Sequence, residues 1–90
     1  MQFNVSKELV DIYCRYGKNE GYMIDFFLSS LDHKCCADAF NLFDTLNMKG
    51  EKAEVDINES TVAEIYSIFG AVDDALVEKL LFAAVLFPEI

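Results

Sequence analysis

Four residues carry side chains whose types invite chemistry: Cys14, His33, Cys35 and Cys36. Zinc wants four ligands, and structural sites supply them as closely spaced Cys or His pairs on a rigid turn. Here the spacing is His-x-Cys-Cys, with Cys14 far away along the chain. On a helix His33 and Cys36 share a face while Cys35 points elsewhere. The same spacing defeats a Cys–His nucleophile pair. His33 and Cys35 are two residues apart and do not face each other, and nothing nearby suggests an oxyanion hole. His33 is also the single histidine. We therefore expect no metal, no cofactor and no catalytic residue, and read Cys14 and Cys36 as small core hydrophobes.

The stretch FNLFDTLNMKG resembles the end of a helix leading into an EF-hand calcium loop. The ligand positions do not support it. With Asp44 as first ligand, the third and fifth positions are Leu46 and Met48, which cannot bind calcium. Gly50 falls one place late for the glycine of such a loop.

The remaining charged residues are mostly acidic: 16 Asp and Glu against 7 Lys and Arg, net −9 over 90 residues. The imbalance is larger in the second half, net −6 for residues 46–90 against −3 for 1–45. Direct nucleic-acid binding needs clustered cations, so this balance argues against it, and likewise against anionic membrane surfaces. An acidic face complementary to a basic protein surface fits better. Its candidate members are Glu51, Glu54, Asp56, Glu59 and Glu64 around one connection, and Asp73, Asp74 and Glu78 at the head of the last helix. Such a face steers association more than it adds affinity.

Apolar residues make up 53% of the chain. For one domain of this length that is a mild excess, which suggests a tight core or a patch kept for a partner. The longest uninterrupted apolar run is the eight residues Leu80–Phe87. That is far short of the ~20 a membrane helix needs. The N-terminus MQFNVSKELV lacks the pattern of a signal peptide. Three cysteines, two of them adjacent, do not make a disulfide framework, so a cytoplasmic or host-cytoplasmic location is expected.

These residues are positioned by a largely helical chain. Helices are expected over Lys7–Tyr16 behind Ser6 as cap, over Glu20–Leu31, and over His33–Asn47 with Cys36, Ala39, Phe40, Phe43 and Leu46 inward. A fourth begins near Thr61, with Thr61 and Glu64 as a capping box or Ser60 as cap, and turns Val62, Ile65, Tyr66 and Phe69 inward. Gly70 ends it. A fifth follows Asp73 as cap and runs to Phe87, where Pro88 stops it. Helices four and five should form a compact αα pair. Met1–Val5 and Glu51–Ile57 both alternate with period two. The second is read first as an acidic loop, and otherwise as a strand pairing with the first in a minimal ribbon.

The expected fold is thus a single all-α domain over 1–90, a bundle of about five short helices around a central C-terminal helix, with room for that two-stranded ribbon. Phe82 and Leu86 lie opposite the main stripe of the last helix, and Phe26 and Phe27 belong to a helix apolar nearly all round. These four are the apolar interface candidates. The functional expectation is a non-enzymatic protein-binding module, an inhibitor, antagonist or adaptor of the kind phages encode. The alternatives are a nucleic-acid mimic and a homo-oligomeric structural protein, a homodimer included.

Overall fold

A computed structural model describes residues 1–15, 33–46 and 50–86. Within them the chain is mostly helical, with one small antiparallel sheet. The order is β1 (Gln2–Ser6), α1 (Lys7–Cys14), α2 (His33–Thr45), β2 (Lys52–Asp56), α3 (Glu59–Phe69) and α4 (Asp74–Leu86). The helix expected over Glu20–Leu31, with Phe26 and Phe27, lies outside the described residues.

The ribbon forms, which corrects the reading of 51–57 as a loop. β1 and β2 pair antiparallel with Phe3 opposite Val55 and Val5 opposite Ala53. Its ends are closed by Ile57 N–H to Met1 O at 2.8 Å and Lys7 N–H to Glu51 O at 3.0 Å. Two strands alone are marginal in water. Here Phe3, Val5 and Val55 turn to one side and are buried, and α4 and α1 pack on the ribbon. Each such side chain contributes about 1.5–3 kcal/mol on leaving water, which a solvated loop forgoes.

α1 turns Leu9, Val10 and Tyr13 inward. Ser6 precedes it, but its side chain makes no capping bond. Instead the Ser6 N–H is drawn to Glu78 on α4, at 3.0 Å. On α2, Ala39 is buried while Phe40 and Phe43 pack half-buried against the core. Leu46, expected inward, is 43% exposed. The helix stops at Thr45, whose hydroxyl bonds Leu42 O at 2.7 Å, so Leu46 falls beyond the last helical turn.

α3 is capped by neither Ser60 nor Thr61. Asn58 takes that role one step earlier, its Oδ1 accepting from Thr61 N–H at 2.8 Å and from the Ser60 hydroxyl at 2.7 Å. Asn58 is still in extended geometry as the chain leaves β2, which places its amide at the right spot. Gly70 ends α3 in left-handed geometry at φ 75°, a conformation that costs glycine little. Asp73 caps α4 as expected, its carboxylate accepting from Leu76 N–H at 2.8 Å.

The compact pair of the last two helices is not what forms. α4 packs against α2, β1 and α1, and α3 is not among the elements that approach it broadly. The connection is four residues, 70–73, and only its first is left-handed. α3 is anchored by the buried side chains of Thr61 and Ile65 and by Phe69, whose ring lies 5.8 Å from that of Phe40.

α4 buries Val77, Leu80, Leu81, Phe82, Ala83 and Ala84, which together take up most of its circumference. Phe82 is 8% exposed, its ring meeting Phe43 edge-on at 5.3 Å. α2 therefore covers Phe82, while Leu86, the other residue that sequence left without a partner, stays 39% exposed. Lys79 closes the same seam, paired with Asp44 at 2.9 Å and lying over the Phe40 ring at 5.7 Å.

Candidate protein interface

The acidic candidates do not form one exposed face. Glu78 is only 8% exposed. Its carboxylate accepts from Ser6 N–H and from Lys52 Nζ at 2.8 Å, tying α4 to both strands. One turn earlier, Asp74 accepts from Asn4 N–H at 3.2 Å. The match is geometric: two residues of strand advance about 6.7 Å, and four of helix advance about 6 Å. Asp56 lies 3.3 Å from the terminal ammonium, Glu51 lies 3.6 Å from Lys7, and Asp73 serves as a cap. Glu54, Glu59 and Glu64 are exposed and make no ion pair among the described residues.

Two concavities are lined by described residues. One, about 390 Å³, lies between the start of α1 and Glu51 and is lined by charges of both signs, among them Lys7, Glu8, Asp11 and Arg15. The other, about 510 Å³, is apolar. It is lined by Met1, by Glu59, Val62, Ala63 and Tyr66 of α3, and by Val72 of the following connection. The four α3 residues fall at i, i+3, i+4 and i+7, one face of a helix. Met1 is carried there by the ribbon: its ammonium donates to Ile57 O at 2.8 Å, two residues before α3 begins. Val72 arrives from the opposite end of α3, past Gly70.

This groove leaves apolar surface in water. Tyr66 is 62% exposed and Met1 59%, with Val62 and Val72 half-buried and Ala63 exposed. Val62 and Tyr66 were expected inward. The helix is rotated so that Thr61 and Ile65 point inward, and Val62 and Tyr66 move to the flank. Thr61 is 1% exposed and Ile65 fully buried, and the Thr61 N–H is bound by the Asn58 cap, so this side of the helix is the one held against the rest of the chain. The chain's signal for the groove is the breadth of apolar residues on α3. Val62, Ile65, Tyr66, Ile68 and Phe69 cover more arc than one neighbour can bury.

Of the apolar candidates, Phe82 is internal, Leu86 is 39% exposed at the end of α4, and Phe26 and Phe27 lie outside the described residues. Cys14 is half-buried on α1. Beside it, burial pushes the Tyr13 phenol up from about 10 to about 12, with a smaller push from Cys14. Among the described residues no group of three or more His, Cys, Asp and Glu is placed to hold a metal ion, and no helix is long and apolar enough to cross a membrane. No protein-family model, curated protein or solved structure matches the chain.

Proposed function

We propose that the chain is a small acidic protein-binding module that acts inside a cell as an inhibitor, antagonist or adaptor. Its binding surface is the groove of Met1, Val62, Tyr66 and Val72. The observation that carries this reading is the open apolar stripe of α3. Tyr66 and Met1 line one groove and are both more than half exposed. Tyrosine in such a setting offers a large rigid contact at low entropic cost, as interface anchors do. The partner segment that suits the groove has an apolar anchor followed by a basic residue for Glu59. The net charge of −9 speeds its approach.

The nucleic-acid mimic is the weaker reading. It needs carboxylates spaced along one face, and Glu78 is internal while Asp74, Asp73, Asp56 and Glu51 are engaged within the chain. Self-association through the groove is the remaining rival, and light scattering at high concentration separates it from binding to another protein.

The test is quantitative capture from the native cell with three baits: wild type, Tyr66→Ala, and Leu42→Ser as a control on exposed α2 surface. The expected result is a protein retained by wild type and by Leu42→Ser, and reduced about tenfold or more by Tyr66→Ala, a loss of about 1.4 kcal/mol. Equal retention by all three baits would remove the groove from the account.

A further inference from the structure

The two edges of the ribbon are treated differently, and the difference identifies a second docking surface. The bonds at Met1–Ile57 and Lys7–Glu51 set the odd-numbered residues of β1 as the inward-bonding ones. The even residues of both strands therefore direct their N–H and C=O groups outward. On β1 these donors meet α4: Asn4 N–H binds Asp74 and Ser6 N–H binds Glu78. On β2 the outward donors belong to Lys52, Glu54 and Asp56, all exposed, and their backbone groups make no hydrogen bond among the described residues. Lysine commonly guards such an edge. Here Lys52 reaches across to Glu78 at 2.8 Å and Asp56 lies 3.3 Å from the terminal ammonium, which leaves exposed Glu54, at the middle of the strand, to set the edge's charge.

We propose that the outer edge of β2 accepts an extended segment of a partner protein as a third strand, with Lys or Arg at alternate positions and small aliphatic residues between. Strand addition supplies main-chain hydrogen bonds, and alternate side chains give selectivity. On the solvent face the basic residues lie against Glu54 and Asp56. On the other face the aliphatic residues continue the layer begun by Ala53 and Val55, of which Ala53 is half-buried and awaits cover. A second copy of the chain is a poor occupant. Two-fold pairing of β2 centred on its middle residue sets Glu54 against Glu54, where like charges are destabilising, and the Lys52 that would face Asp56 of the other copy is already paired with Glu78. This surface is separate from the α3 groove, and either can fail without the other.

The probe is a short capped peptide alternating Lys and Val, compared with a Glu–Val analogue and with a Lys–Val peptide N-methylated at alternate residues. Backbone amide exchange of the intact protein is followed by NMR. At saturation the Lys–Val peptide should slow exchange of the Lys52, Glu54 and Asp56 amides by about tenfold or more, while the other two peptides leave them unchanged. Glu54→Lys should weaken the Lys–Val peptide about tenfold, and Glu64→Lys on α3 should not. Three results would overturn the proposal: these amides already protected in the peptide-free protein, peptide binding that leaves them unprotected, or protection that rises with protein concentration alone. The last would assign the edge to a second copy.

Discussion

α3 and α4 are neighbours in sequence, similar in length and both rich in apolar residues, yet they meet opposite fates. α4 is enclosed by α2, β1 and α1, and even its charged Glu78 is internal. α3 is anchored by one stripe, Thr61 and Ile65, and leaves the next stripe, Val62 and Tyr66, facing a groove. Apolar content alone therefore does not say which helix is core. What decides it is how many elements the chain can bring around each one. A connection of four residues, 70–73, is enough to lead α4 against β1 and α2, while α3 stays at the margin.

The comparison breaks first at the centre of α4. Leu80→Ala removes a fully buried side chain and should cost about 2–5 kcal/mol in denaturant unfolding, whereas Tyr66→Ala on α3 should stay within about 0.5 kcal/mol. Similar losses at both would mean that the two helices are equally buried. Next in size is Glu78→Gln. It weakens the bond to Ser6 N–H and the pair with Lys52, which should cost about 1–3 kcal/mol, against near neutrality for Glu64→Gln on exposed α3. If Glu78→Gln proves silent, the clasp between α4 and the ribbon contributes nothing.

Smaller effects test the start of α3 and the enclosed side of the molecule. Asn58→Ala should cost about 1 kcal/mol as the loss of a helix cap, and Ser60→Ala clearly less. The reverse order would restore Ser60 as the cap. Tyr13 gives a pH signature for the enclosed side of the molecule. With its phenol raised from about 10 to about 12, the folded state holds a proton that the unfolded state releases. Its contribution is fully present below pH 10 and is lost as pH rises toward 12. Unfolding curves across that window should show wild type losing stability relative to Tyr13→Phe, and parallel curves would contradict the burial.

Much of this was legible in the chain because it depends on neighbours in sequence. Asp73 and Gly70 mark helix ends through local geometry, and the period-two alternation of Met1–Val5 and Ala53–Ile57 held the ribbon in outline. What could not be read depends on partners far apart. Lys52 and Glu78 look like two surface charges until β1 sets Ser6 between them. Phe82 looks uncovered until α2 places Phe43 on it. Val62 and Tyr66 fit an inward stripe as well as Thr61 and Ile65 do, and only the docking of the helix against the rest of the chain chooses between them.

The proposed function rests on contact between the flank of α3 and another protein. Its most direct test is a photo-crosslinking phenylalanine analogue introduced in the native cell, at Tyr66 in one strain and at Leu42 in another. The account predicts a dominant adduct of defined mass from position 66 and none of that mass from position 42. A matching adduct from both positions, or one from position 42 alone, would contradict it.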